Sequence, residues 1–176
     1  QSVILPPTLD PLPIATNSAN LIHTGKGDKG LTAIIYVNDE RFDEVNVDDD
    51  GTFEVSRLPF EDGENTVSAK QADKKGNTSE LSNVITIQFS KEPPKLTIDK
   101  PEEGATITGE KNIAEIAGIT DEDASVTIND RFVVVRSDGS FEYDFPLNEG
   151  ENIITIIATD PAGNSTKLER NVKYEK

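Results

Sequence analysis

The sequence predicts an all-β protein built from two tandem β-sandwich domains. Apolar and polar residues alternate with a period of two along many short segments, which is typical of half-buried strands. No segment shows the 3.6-residue period of an amphipathic helix of useful length. The second half of the chain repeats a series of turn and strand signals that the first half carries in the same order.

Five short signals make up this internal repeat. In the first half they are Val37-Asn38-Asp39, Arg41-Phe42, Asp50-Gly51-Thr52-Phe53, Gly63-Glu64-Asn65 and Asp73-Lys74-Lys75-Gly76-Asn77. In the second half they are Ile128-Asn129-Asp130, Arg131-Phe132, Asp138-Gly139-Ser140-Phe141, Gly150-Glu151-Asn152 and Asp160-Pro161-Ala162-Gly163-Asn164. A single sandwich needs about 100 residues, so the 176 residues divide into domains 1–90 and 91–176 of about seven strands each. Residues 90–94, which include Pro93-Pro94, form a short, stiff linker.

The strands of the first copy follow from alternation within segments rich in Val, Ile, Thr and Phe. They are predicted at residues 20–25, 31–38, 41–47, 52–57, 65–71 and 81–89. In the second of these strands, Ile35 and Val37 point inward, whereas Ile34 and Tyr36 point outward. Asp50-Gly51, like Asp138-Gly139 in the second copy, is predicted to form a hairpin turn, because Gly tolerates positive φ.

The strands of the second copy are predicted at residues 95–99, 113–119, 125–129, 132–136, 140–145, 152–159 and 168–174. The inward positions are Val126, Ile128, Ile154, Ile156 and Ala158. Ile153 and Ile157 alternate with them and point outward. Apolar residues on an outer face either mark a partner surface or are ordinary, scattered surface residues.

These signals resemble the bacterial immunoglobulin-like (Ig-like) domains, in particular the glucodextranase domain B-like group. In the second copy the resemblance is carried by Gly118, residues 126–129, residues 138–141, residues 150–152 and residues 158–164. The first copy matches at Gly25 and at the equivalent signals, but it has Lys74-Lys75 where the second has Pro161-Ala162. The resemblance implies Greek-key sandwiches found in surface adhesins, in stalk proteins and as accessory modules of secreted glycosidases.

The charge of the chain narrows the kinds of partner. The chain carries 17 basic and 33 acidic residues, a formal charge of −16, and each half contributes −8. Such a surface repels phosphate backbones and anionic lipid, so neither nucleic acid nor a membrane surface is expected as a partner. Cations, basic proteins and neutral glycans stay open, as does a merely solvated surface.

The composition indicates a segment of a larger protein, and the resemblance implies that it lies outside the cell. There is no Cys and no Met, and no apolar run is long enough to span a membrane. We expect a monomeric, extracellular or cell-surface segment of a larger protein.

The residue types disfavour an enzyme and predict no cofactor. His23 is the only histidine and lies at a strand position that matches Ile116, so a buried structural role is expected. There is no Trp, and most of the seven Phe fall at repeat positions that indicate core. Carboxylate pairs are plentiful, but glycosidases also need a groove, usually with aromatic platforms.

The acidic loops raise one further possibility, a calcium site. The sandwich topology places Asp39 and Asp62 at one pole of the first domain, and Asp121, Asp123 and Asp160 at the facing pole of the second. Either these carboxylates repel and the domains bend apart, or a calcium ion bridges them, since calcium takes 6–8 oxygen ligands. Asp48-Asp49-Asp50-Gly51 does not meet the EF-hand spacing and indicates an acidic turn.

Two functions fit these observations. The first is a non-catalytic spacer, stalk or adhesion segment of a bacterial surface protein, binding protein or glycan. The alternative is an accessory module of a secreted polysaccharide-degrading enzyme. The flanking domains of the full-length protein distinguish the two.

Overall fold

The computed structural model describes residues 3–176, and its strands form four sheets in two compact units. One unit runs to Ser90 and the other from Lys91 to Lys176. The described residues contain no helix long and apolar enough to cross a membrane. The predicted all-β fold of two sandwich-like domains is confirmed.

The first domain contains eight strands within residues 3–90. They are β1 (Thr8–Leu9), β2 (Ala15–Thr16), β3 (His23–Lys26), β4 (Thr32–Val37), β5 (Glu40–Asn46), β6 (Thr52–Val55), β7 (Gly63–Ala72) and β8 (Ile85–Phe89). One sheet has the order β1-β3-β6 and the other the order β2-β8-β7-β4-β5.

The second domain repeats this plan with strands β9 to β16. They are β9 (Leu96–Lys100), β10 (Thr106–Thr108), β11 (Ile113–Thr120), β12 (Ser125–Ile128), β13 (Arg131–Val133), β14 (Ser140–Pro146), β15 (Gly150–Thr159) and β16 (Ser165–Glu175). The sheets have the orders β9-β11-β14 and β10-β16-β15-β12-β13.

Three short strands were not predicted, namely β1, β2 and β10. Each has only two or three residues, too few to show alternation. β2 pairs in parallel with β8, and β10 pairs in parallel with β16, so both domains extend the edge of the larger sheet in the same way.

In each domain a buried Phe ring packs directly against a glycine of the neighbouring strand. Phe53 and Phe141 are buried and pair in register with Gly25 and Gly118. A Cβ atom on Gly25 would lie 2.3 Å from Phe53 Cζ, and one on Gly118 would lie 2.7 Å from Phe141 Cζ. Only glycine leaves room for the ring at these two positions.

The two Asp-Gly turns are tight, but they are not hairpins. Gly51 has a φ of 82° and Gly139 a φ of 85°, as the sequence predicted. However, β5 pairs with β4 and β6 pairs with β3, so the Asp50-Gly51 turn carries the chain from one sheet to the other. The Asp138-Gly139 turn does the same between β13 and β14.

The inward residues of β4 and β12 are buried as predicted, but one outward residue is also covered. Ile34 alternates with the core residues yet is only 7% exposed. Its cross-strand neighbours are Glu44 and Lys70, whose long side chains flank it. On the second domain Ile153 is 62% exposed and Ile157 is half-buried.

The Arg-Phe signals of the two copies are offset by one residue in the structure. The turns Asn38-Asp39 and Asn129-Asp130 pair Val37 with Glu40 and Ile128 with Arg131. A register shift between Ile35 and Tyr36 then turns Phe42 toward the core, where it packs. β12 and β13 pair without a shift, so Phe132 lies opposite Thr127 on the outer face and is 79% exposed. Phe132 is therefore a Phe at a repeat position that does not lie in the core.

Candidate functional site

The Gly-Glu-Asn signal places an asparagine amide under a loop in each domain. Asn65 is buried, accepts a hydrogen bond from the Glu61 N–H at 2.9 Å, and donates to the carbonyls of Glu61 at 2.8 Å and Gly63 at 3.0 Å. Asn152 makes the equivalent bonds to Asn148 at 2.9 and 2.8 Å and to the Gly150 carbonyl at 3.1 Å. The repeated signal therefore stabilises a loop.

The Asn-Asp signal is a two-residue turn in which both residues have positive φ. Asn38 and Asp39 have φ values of 51° and 66°, and Asn129 and Asp130 have 44° and 67°. The Asn38 side chain accepts from the Thr66 N–H at 2.9 Å, and the Asn129 side chain accepts from the Thr155 N–H at 2.7 Å. These amides tie the turn to the neighbouring strand.

The Asp-Gly signals use their carboxylates inside the turn. Asp50 Oδ1 accepts from Thr52 Oγ1 at 2.7 Å and from the Thr52 N–H at 3.1 Å. The hydroxyl bond and then the backbone bond lower the pKa of Asp50. Asp138 is bound in the same way by Ser140, and its pKa is also lowered.

The loops 73–77 and 160–164 are each held by hydrogen bonds to the carboxylate of their first residue. Asp73 accepts from the Asn77 N–H and side-chain amide, both at 2.9 Å, and the side-chain bond is the main reason why its pKa is lowered. Asp160 accepts from the Asn164 N–H at 2.8 Å and from its amide at 3.1 Å. These aspartates therefore have a structural partner within their own loop.

The five predicted calcium ligands are divided between the domains. In the first domain, Asn38 Nδ2 donates to Asn65 Oδ1 at 2.9 Å, which joins the turn containing Asp39 to the loop that contains Asp62. In the second domain, Thr159 pairs with Ser125, which places Asp160 near the β11–β12 turn that contains Asp121 and Asp123. Within residues 3–176 no three His, Cys, Asp or Glu side chains come together as a metal-binding group. The calcium site stays a prediction.

His23 lies in the core of the first domain at the position that Ile116 occupies in the second. It is 1% exposed, and its Nε2 atom lies 2.8 Å from the Asp10 carbonyl oxygen, to which it donates. Nδ1 is buried without a hydrogen-bond partner in the described structure. Burial lowers the pKa of His23, although the bond to the Asp10 carbonyl opposes this shift. A ring enclosed in this way is not placed to serve as a catalytic base.

The surface feature that sequence reasoning missed is the free edge of the larger sheet in the second domain. β13 lies at the end of the order β10-β16-β15-β12-β13. Next to it, Phe132 is 79% and Val134 is 82% exposed. Aligning the two copies on their Asn-Asp turns, and not on the letters Arg-Phe, could have revealed this edge. Counted from the turns, Phe132 corresponds to Arg41 and not to Phe42.

Comparison with known proteins agrees with this architecture. Residues 94–175 match the family described as glucodextranase, domain B. The fold of the pair is similar to the fibronectin(III)-like modules of Clostridium thermocellum CbhA, with a TM-score of 0.61, 13% identity and coverage of 96% of this chain and 94% of that one. The second domain is therefore similar to this Ig-like family, and the chain has an Ig-like or fibronectin(III)-like fold. The predicted resemblance is confirmed, with the family match lying in the second Ig-like domain.

A curated relative shares both Ig-like domains. The chain is 32% identical over 163 residues to Bacillopeptidase F of Bacillus subtilis (strain 168). The alignment covers 92% of this chain but only 11% of that protein. A structure of a 1.5-MDa bacterial ice-binding adhesin also matches, with a TM-score of 0.45 and 19% identity over 99% of this chain and 67% of that one.

Proposed function

We propose that the two Ig-like domains form a non-catalytic accessory module and spacer within a larger extracellular enzyme. The observation that carries this proposal is the alignment to Bacillopeptidase F, in which nearly the whole chain corresponds to about a tenth of a much longer protein. The alignment extends over residues of both domains.

The chemistry of the described residues supports a non-catalytic role. The single histidine is enclosed in the core and hydrogen-bonded to a backbone carbonyl. Four of the aspartates that recur between the domains, Asp50, Asp73, Asp138 and Asp160, accept hydrogen bonds inside their own turns. These bonds hold the carboxylates in place and lower the pKa of Asp50, Asp73 and Asp138, which suits structural acceptors and not general acids.

The loops are constructed as a spacer requires. In both domains the turns at the ends of the strands are tied by buried or half-buried asparagine amides, notably Asn65 and Asn152. Loops held by buried hydrogen bonds open locally less often, so the ends of such a module keep a fixed separation. The acidic surface, −16 in total, keeps such a module soluble and limits self-association.

The second candidate is a stalk or adhesion segment of a bacterial surface protein. The observation that favours it is the exposed apolar edge of β13, which a pure spacer does not need. In this case the chain would bind a protein or a glycan directly.

The experiment is to raise an antibody against the purified chain and to blot the culture medium and the cell envelope of the source bacterium. The accessory-module proposal predicts a band in the medium that is much larger than 19.2 kDa. A large band confined to the envelope would favour the stalk. A band of about 19.2 kDa in the medium would show that the pair acts alone and would overturn both.

A direct activity measurement complements the blot. The purified chain is expected to hydrolyse neither casein nor a panel of polysaccharides. Turnover that disappears when one carboxylate pair is replaced by amides would contradict the non-catalytic role.

A further inference from the structure

The second domain has an extended segment that, among residues 3–176, has no pairing partner on one side. β13 pairs only with β12, and the ladder ends at Val133 opposite Val126. Nevertheless, alternation continues beyond the strand, because Val133 and Val135 pack on the core while Phe132 and Val134 are exposed. Residues 132–135 therefore have the alternating exposure of a β-strand along a sheet edge, and the exposed Arg131 precedes them.

The corresponding edge of the first domain is protected, which gives an internal comparison. β5 contains four charged residues among seven, and a register shift interrupts its pairing with β4. The shift also turns Phe42 into the core. Charged residues and bulges are the usual protection of an edge strand against pairing with another chain. β13 has no register shift, and only Arg131 is charged between Asp130 and Arg136.

A small hollow of about 190 Å³ adjoins the start of this edge. Its lining includes Arg131, Tyr143 and Phe145. Side chains of a strand added to β13 would alternate between two faces. One set would point toward the space between the sheets, where this hollow lies, and the other set would lie beside Phe132 on the outer face. Backbone pairing with alternate side chains in pockets is how extended peptides are recognised at sheet edges.

The charge at this edge indicates the chemistry of the occupant. Arg131 is exposed and, within the described residues, makes no ion pair, whereas Arg136 is paired with Glu142 at 3.0 Å. The exposed Arg131 guanidinium beside Phe132 would be complemented by a carboxylate on the added strand.

We propose that the β13 edge, residues 131–135, binds an extended peptide segment of another protein in which apolar residues alternate with acidic ones. The segment pairs with the β13 backbone, places apolar side chains against Phe132 and Val134, and sets a carboxylate against Arg131. This inference does not depend on whether the parent protein is an enzyme or a stalk.

The test uses two synthetic octapeptides of matched design, one alternating valine with glutamate and the other valine with lysine. Each is titrated into the ¹⁵N-labelled chain and followed by nuclear magnetic resonance. The glutamate peptide is expected to shift the amide signals of residues 131–135, and the lysine peptide to leave them unchanged. Equal shifts with both peptides, shifts outside this edge, or no shifts at millimolar peptide would overturn the proposal.

Charge-matched variants identify the residues. Arg131→Glu is expected to lower the affinity for the glutamate peptide by roughly tenfold. Arg41→Glu, on the edge strand of the first domain, changes the net charge by the same amount and is expected to leave the affinity unchanged. Phe132→Ser is likewise compared with Ile153→Ser, which removes an exposed apolar side chain from β15, inside the same sheet. Equal effects within either pair would show that charge or hydrophobicity in general, and not this edge, governs binding.

Discussion

The buried asparagines of the two loops provide the sharpest test of how this fold is held together. Asn152→Ala removes an amide that bonds the Asn148 N–H, the Asn148 carbonyl and the Gly150 carbonyl at 2.8 to 3.1 Å. The Val172 carbonyl, at 3.3 Å, loses a fourth, longer bond. Because the side chain is buried, water does not simply replace these bonds.

The expected loss follows from the number of bonds. A hydrogen bond of this kind contributes about 1 kcal/mol net, and a buried group left without a partner costs about 1–3 kcal/mol. Three such groups at a loop that can partly relax give a loss of about 2–4 kcal/mol in the free energy of unfolding of the second domain. Small domains have about 5–15 kcal/mol in total, so the shift is large.

The assay is urea unfolding followed by tyrosine fluorescence and far-ultraviolet circular dichroism. Asn65→Ala makes the equivalent change in the first domain and is expected to cause a similar loss, since Asn65 bonds the same three kinds of group. Asn171→Ala, at an exposed position, serves as the control and should lie within about 0.5 kcal/mol of the parent chain. Losses below about 1 kcal/mol for both buried positions would refute the view that these amides hold the loops.

Three further predictions concern the core, the pH response and cations. Gly118→Ala should destabilise the second domain by about 1–3 kcal/mol, because its Cβ atom would lie 2.4 Å from the Thr97 carbonyl oxygen; an unchanged melting temperature would contradict this. In the unfolded chain His23 is protonated near its ordinary pKa of 6.5, whereas burial lowers its pKa in the folded domain. The first domain should therefore lose stability as the pH falls below 6.5, by at most about 1.4 kcal/mol per pH unit, and the loss should stop once the pH is below the folded pKa. His23→Ile, the residue of the equivalent position, should reduce this slope, and an unchanged slope would assign it to other groups. If Asp39, Asp62, Asp121, Asp123 and Asp160 bind calcium, millimolar calcium should raise the melting temperature more than sodium at equal ionic strength, and equal effects would retire the site.

The architecture could be predicted from the sequence because the repeated signals mark positions where the backbone allows only one kind of residue. Gly25 and Gly118 are fixed by an aromatic ring, and Asn65 and Asn152 by buried loop bonds, so both copies had to retain them. The parallel strands β2 and β10 could not be predicted, because a pairing of two or three residues is decided by the neighbouring strand and not by its own pattern.

The candidate interaction surface escaped prediction for a related reason. The letters Arg-Phe recur in both copies, which invites the assumption that Phe42 and Phe132 have the same environment. A side-chain period of two means that a displacement of one residue moves a side chain to the opposite face of the sheet. The register shift in β4–β5 and its absence in β12–β13 cannot be read from either segment alone.

This single residue of register distinguishes the sheet edges of the two domains. In the first, the bulge returns Phe42 to the core and leaves a charged edge, so the strand ends the sheet. In the second, regular pairing leaves Phe132 and Val134 exposed beside an unpaired arginine. Exposing such apolar residues at a free edge favours unwanted pairing, and a spacer gains nothing from it. The difference between two otherwise similar domains therefore supports the proposed recognition at the β13 edge, for which the charged β5 edge of the first domain is the internal control.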